Sequence, residues 1–253
     1  MKTINEEQFV FFLKSISKYT KGKNIILSMN LMRFGLPLFE FDKTIDLIAN
    51  ILYPKEFAIQ TYSNFQSFNP RNFSRYKTPV SNNLSSLSKL AFKKYPNFRF
   101  LSPTHSFVVF NAKTNLYDHI FSSAFGSESI FSFFFENDYY WLNIGCHLNE
   151  TCTFLHYVES MNHELINYRK NVTFPVEVFK YKNQDVNILI NYEYFSRIKE
   201  VNSKHSWVPI ENSYDLRDCL IKQSPITSIY NLRKIFDVAT KLIKNYPSVF
   251  LVS

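Results

Sequence analysis

Three polar side chains recur at three-residue intervals in Thr153-Phe154-Leu155-His156-Tyr157-Val158-Glu159. On a helix, positions i and i+3 share a face, so a hydroxyl, an imidazole and a carboxylate would line one edge. Such a row suits proton removal from a weak nucleophile: the imidazole takes the proton, and the carboxylate fixes its tautomer and stabilises the imidazolium as it forms. The same spacing also arises on plain solvated or capping faces, and the row alone leaves both readings open. Cys152, four residues before His156, adds a second chemistry, a Cys-His nucleophilic pair.

A further polar patch lies upstream. Ser102-Pro103-Thr104-His105-Ser106 runs into the apolar Phe107-Val108-Val109-Phe110, and Asp118-His119 and Phe125-Gly126-Ser127-Glu128-Ser129 follow. Tyr140-Trp141-Leu142-Asn143-Ile144-Gly145 reads as a strand that ends at a glycine just before the row. In this order the segments resemble the aminoglycoside 3-N-acetyltransferase family. Its members carry Pro-Thr-His-Ser, a His before a Phe-Gly-x-Gly-Ser-Pro turn, a strand ending in Gly, and Thr-x-x-His-x-x-Glu. Asn24 to Leu31 resembles the family's first strand, and Gln60-Thr61-Tyr62-Ser63 stands where it has Pro-Thr-Tyr-Ser. Thr78-Pro79-Val80-Ser81, Arg99, Tyr168-Arg169 and the closing stretch Leu232 to Leu251 extend the match along nearly the whole chain.

The resemblance implies an acetyl-CoA-dependent N-acetyltransferase that acts on an amino sugar, with acetyl-CoA as co-substrate and no metal. His156 would be the base, Glu159 its orienter, and Thr153 or a backbone amide the oxyanion donor in a direct transfer. Coenzyme contacts are implied at Ser28, Ser106, Gly126 and Ser129, where small residues admit backbone amides to a pyrophosphate and a helix beginning near Ser129 adds its positive end. Substrate contacts are implied at Tyr62, His105 and His119. Each has a structural counterpart reading: His105 satisfying a tight turn, His119 with Asp118 capping a helix, Gly126 serving a simple turn. The chain departs from the family pattern at Ser28-Met29-Asn30-Leu31 (His-Ser-Ser-Leu in the family), at Glu128-Ser129-Ile130 (Gly-Ser-Pro), and at Cys152 (Asn). The glycine-rich turn after the first strand is absent too.

Composition bears on the acceptor. A net charge of +8 and only 4 glycines accompany 27 Phe and 16 Tyr. The positive field draws anionic ligands, and carboxylates near the row are few, namely Glu150, Glu159 and Glu164. A nucleotide-linked amino sugar for surface polysaccharide is therefore the expected acceptor, with a polycationic aminoglycoside, and so antibiotic resistance, as the alternative. A reading from another class is a non-catalytic basic module for anions or nucleic acid. The basic residues are scattered, however, without an RNA-binding signature, so no nucleic-acid partner is expected. Three cysteines without a Cys-x-x-Cys indicate neither a disulfide framework nor zinc. With no signal-like start and no apolar run long enough to span a bilayer, a soluble cytoplasmic protein without a membrane partner is expected, and a homodimer is admitted.

The elements that must position these residues read as α/β: a three-layer α/β/α single domain over residues 1–253 with a central mixed sheet. Thr3-Ile4-Asn5-Glu6 has the form of a capping box before Phe9, Phe12, Leu13 and Ile16. Strands are expected at Asn24 to Met29, Phe57 to Tyr62, Phe98 to Leu101, Ser106 to Phe110, Val172 to Tyr181 and Asp185 to Tyr194. Helices are expected from Asp42 through Leu52, Leu84 to Lys94, Tyr214 to Ile221 and Ile229 to Asn245. Ser63 to Val80 has no period and reads as a long loop, a wall of the acceptor pocket or a surface excursion.

Overall fold

Alternation inside the strands decides the architecture. In Asn24–Met29, Ile26 joins one buried cluster while Ile25, Leu27 and Met29 join another. Ala58 and its neighbours Phe57 and Ile59 divide the same way, as do Phe107 and Val109 against Val108, and Tyr139 and Trp141 against Leu142 and Ile144. A strand apolar on both faces needs a covering layer on each. Helices Glu6–Thr20, Thr44–Leu52 and Ser86–Lys94 supply one layer through Phe9, Leu13, Ile16, Ile45, Ile48 and Leu90. Helices Ile130–Glu136, Phe154–Met161 and Leu232–Asn245 supply the other through Phe131, Phe134, Leu155, Val158, Ile235 and Ala239. This is the expected three-layer α/β/α arrangement, in a computed structural model that describes residues 3–63, 72–179, 187–198, 204–213, 215–216, 220–221 and 226–252.

The sheet has six strands in the order Leu220–Ile221, Thr227–Asn231, Tyr139–Ile144, Asn24–Met29, Glu56–Gln60, Phe107–Phe110. Its central three are parallel and the flanking strands run antiparallel, so the mixed sheet is as expected. The parallel strands bring their C-terminal ends to one edge, where Met29, Gln60 and Ile144 stop and open sheets of this kind bind ligands. Gly145 takes φ 68° there, and a Cβ on it would lie 2.9 Å from the Asn30 carbonyl oxygen. A smaller sheet pairs Asn72–Ser74 with the hairpin Arg169–Phe179 and Asn187–Arg197.

Several local expectations change. The N-terminal capping box is built by Asn5 and Gln8, whose side chains exchange bonds with each other's backbone N–H at 2.9 and 3.1 Å, because Thr3–Ile4 is drawn into pairing with Leu36–Pro37. Asp42 lies inside a 3-10 turn, Phe41–Lys43, rather than capping the helix that starts at Thr44. Phe98 to Leu101 is not a strand: a 3-10 turn at Pro96–Phe98 leads into single bridges from Arg99 to Val108 and Leu101 to Ile120. Ile229 to Asn231 belongs to the sheet, and the helix begins only at Leu232, where Asn231 accepts the N–H groups of Arg233 and Lys234. It stops at Asn245, since the residue before Pro247 is pushed out of helical geometry. Leu220–Ile221, expected at a helix end, pairs as the outermost strand, and most of the rest of that proposed helix lies outside the described residues. Residues 64–71 of the expected loop lie outside them too, while Asn72–Ser74 forms a strand.

Candidate active site

Thr153 is the N-cap of the helix Phe154–Met161, so the row turns as its spacing predicts. His156 Nδ1 lies 2.8 Å from Glu159 Oε2, and the carboxylate is fully buried whereas the imidazole is 22% exposed. A carboxylate can only accept, so Nδ1 carries the hydrogen and the lone pair of the neutral ring resides on Nε2. Glu159 is fixed in turn: Tyr168 donates its hydroxyl to Oε1 at 2.7 Å, and Arg169 Nε stands 3.0 Å from Oε2. Burial, then the nearby negative Glu159, pushes the Tyr168 hydroxyl well above its ordinary pKa, so it stays a donor. Tyr168 and Arg169, at the start of the hairpin strand, thus complete a carboxylate site whose business end is an imidazole.

Aromatic rings enclose that imidazole. Phe125 approaches it at 5.2 Å between centroids and Trp207 at 5.0 Å, both nearly edge-on. His105 lies on the far side of Phe125, 4.5 Å away, and packs on Tyr62 at 4.8 Å. Its Nδ1 is 2.8 Å from Thr104 Oγ1, which in turn is 2.6 Å from the Tyr192 hydroxyl. Burial, with the charges of His156 and Arg169 behind it, pushes His105 down to about 3, so it is neutral near pH 7. A neutral, half-buried ring of this kind supports the floor of the site.

A cleft of about 630 Å³ opens at the C-terminal ends of the parallel strands. Ser28, Asn30, Gln60, Tyr62, Ser85 and Thr153 are among its lining residues. Thr153 therefore belongs both to the cleft and to the turn that carries His156. The Tyr62 hydroxyl is buried beside Thr153, makes no well-formed hydrogen bond among the described residues, and is pushed well above its ordinary pKa, mainly by burial.

The remaining expectations divide. Ser28 lines the cleft, although its hydroxyl already accepts the Trp141 indole N–H at 3.0 Å. Ser106 is fully buried and its hydroxyl accepts from Arg99 Nε at 2.8 Å while donating to the Thr61 carbonyl at 2.6 Å, so it offers nothing to a coenzyme. Ser129 caps the helix Ile130–Glu136 through the Ser132 N–H and is equally enclosed. Gly126 serves a close approach: a Cβ there would meet Ser123 Oγ at 2.8 Å and Glu193 Oε2 at 3.2 Å. His119 is exposed beyond the 3-10 turn Thr114–Asp118, packs on Phe121, and is not brought to His156. Cys152 is buried, and that burial holds its thiol far above the ordinary value, so it is no nucleophile in this state.

Two features escaped the sequence. Trp207 and Glu193 come to the site from distant segments, and nothing in their local spacing signals it. Arg99 was visible only as one residue of a matching segment, yet its fully buried guanidinium donates to the carbonyls of Thr61 and Thr78 and to Ser63 Oγ and Ser106 Oγ. Phe73 and Phe92 sandwich it at 5.1 and 4.8 Å. It straps together the segments that carry Tyr62 and His105. Burial draws it down to about 9, still protonated at neutral pH.

The sequence model of the family described as Aminoglycoside 3-N-acetyltransferase matches residues 59–243. No curated protein matches the chain in sequence. Among solved structures, the YokD protein from Bacillus subtilis superposes with a TM-score of 0.68 at 15% identity, covering 97% of this chain and 100% of its own. AAC-VIa bound to sisomicin gives 0.73 at 14% identity, covering 96% and 98%. AAC-IIIb as a binary complex with CoASH gives 0.71 at 13% identity, covering 93% and 96%. At these identities the likeness establishes the fold.

Proposed function

Since the chain belongs to the aminoglycoside 3-N-acetyltransferase family and is an acetyl-CoA-dependent N-acetyltransferase, we propose that it acetylates an aminoglycoside amine with His156 as general base. One observation carries the reading: His156 Nδ1 is held 2.8 Å from a buried Glu159 that Tyr168 and Arg169 fix from behind, one turn from a threonine that borders the cleft. The coenzyme would supply the acetyl thioester. The cleft suits its acetyl-bearing arm, being of ordinary ligand-pocket size and lined by Tyr62 and Thr153.

The acceptor nitrogen would form its bond to the thioester carbonyl carbon as the carbon–sulfur bond breaks. His156 Nε2 takes the proton that the nitrogen loses, Glu159 stabilises the resulting imidazolium, and Tyr62 or Thr153 donates to the oxyanion. The sulfur leaves as coenzyme thiol, taking back from the His156 imidazolium the proton that the nitrogen lost. Transfer is direct, because the buried Cys152 is kept as an unreactive thiol. Ser28, Tyr62 and Thr153 take up the coenzyme side, and His105 supports the acceptor side from beneath. The setting is the cytoplasm, where acetyl-CoA is supplied.

The nucleotide-linked acceptor expected from the net charge finds no support in the family match. Its physical premise, scarcity of carboxylates, weakens in three dimensions. Glu193 approaches Gly126, next to the Phe125 ring that touches His156, and Glu211 sits on the helix that follows Trp207. Steady-state assays with sisomicin and with a uridine-diphosphate-linked amino sugar separate the two acceptors. Acetylation of sisomicin alone is expected, and exclusive turnover of the nucleotide sugar would overturn the assignment.

A further inference from the structure

Resting on the reading of His156 as base, we infer that Trp207 is a positioning residue for the imidazole, making the rate of proton transfer depend on a distant segment of chain. A hydrogen bond from Nδ1 fixes one point of the ring, and rings packed against it set its tilt about that bond. Phe125 does so at 5.2 Å and 70°, and Trp207 at 5.0 Å and 64°.

Trp207 is well placed to act as a fixed wall. Its ring is 7% exposed and packs against Phe250 at 5.0 Å. Its backbone N–H donates to Asn149 Oδ1 at 2.6 Å, and the preceding Ser206 N–H donates to the Phe250 carbonyl at 2.9 Å. The turn behind it, Val208–Glu211, is anchored by the buried Ile210 and by Glu211, whose carboxylate accepts from the Leu148 N–H at 3.2 Å and lies 3.1 Å from His147 Nδ1. The segment is therefore tied to the short helix Leu148–Thr151 that precedes the catalytic row, and to the chain's end. Trp207 is not among the residues that line the cleft assigned to the coenzyme, so the effect of replacing it is expected on the imidazole rather than on coenzyme binding.

The test uses the full-length enzyme with acetyl-CoA and sisomicin. Trp207→Ala should lower kcat about a hundredfold, the scale on which small misplacement of a reacting group acts, and leave the KM for acetyl-CoA unchanged. The acidic limb of the kcat/KM profile should move, because the imidazole gains solvent. Trp207→Phe should restore most of kcat. Asn149→Ala keeps the indole but frees its backbone, so it should lose about tenfold by the same misplacement, which guards against an alanine variant that fails to fold. Wild-type kcat in folded Trp207→Ala, a change confined to the sisomicin KM, or no rescue by Phe would overturn the inference. His156→Ala assayed alongside separates the failures: if it is also active, the base is misassigned, and if it alone is inactive, only the role of Trp207 falls.

Discussion

Arg99 and Glu159 are both fully buried charges, yet they are met in opposite ways. Among the described residues Arg99 is met by no carboxylate: its donors go to uncharged oxygens of Thr61, Ser63, Thr78 and Ser106, with a Phe ring on either side. Glu159 is met by a guanidinium, a phenol and an imidazole. A cation solvated by neutral carbonyl and hydroxyl oxygens works as a joint, because those oxygens come from three separate stretches of chain, Thr61 with Ser63, Thr78, and Ser106. A carboxylate set beside a cation directs its remaining influence to the imidazole, which at 22% is more exposed than the guanidinium at 9%. Burial of charge thus builds scaffold in one place and chemistry in the other.

The largest effect should fall on the joint. Arg99→Met removes the donor to the buried Thr78 carbonyl and one of the donors to the Thr61 carbonyl and should cost about 3–5 kcal/mol of unfolding free energy, measured by urea denaturation, while kcat of the folded fraction changes less than in any Glu159 variant. A stable Arg99→Met protein with poor turnover would break the comparison.

Glu159→Gln should lower kcat by about ten- to a hundredfold, because the imidazole keeps a hydrogen-bond acceptor but loses the negative charge that stabilises its protonated form. Circular dichroism should show the variant folded. Turnover equal to the wild type would reduce Glu159 to a structural role like that of Arg99.

A smaller and pH-dependent effect belongs to His105, which sits between the two. Its pKa is pushed down from 6.5 to about 3 in the fold, so below 6.5 the unfolded chain binds the proton and the native state does not. Its contribution to stability is complete above about pH 6.5 and is lost as pH falls toward 3. His105→Asn should show a shallower fall in melting temperature across that window than the wild type. Parallel curves would show that His105 is not held neutral.

Much of this was legible in order and spacing. The Thr153, His156, Glu159 row folds as a helical edge because its period is local, and the strands Asn24–Met29 and Tyr139–Ile144 carry their apolar residues plainly. Misreadings arose where tertiary pairing overrides local pattern: Ile229 fits a helical period but joins the sheet through its register with Leu142, and Ser106 resembles a ligand contact but serves Arg99. Trp207 and Glu193 were out of reach, since only the fold brings the one to His156 and the other to Gly126. Net charge is a poor guide to the acceptor for a related reason: it sums over the whole surface, while a site is made by a few side chains from remote positions.

His156→Ala in single turnover, with acetyl-CoA prebound, sisomicin added and thiol release followed, reads out whether His156 removes the proton from the attacking amine. A rate reduced by about a hundred- to ten-thousandfold, with acetyl-CoA affinity unchanged by calorimetry, is the expected result. Release at the wild-type rate in the folded variant would contradict it.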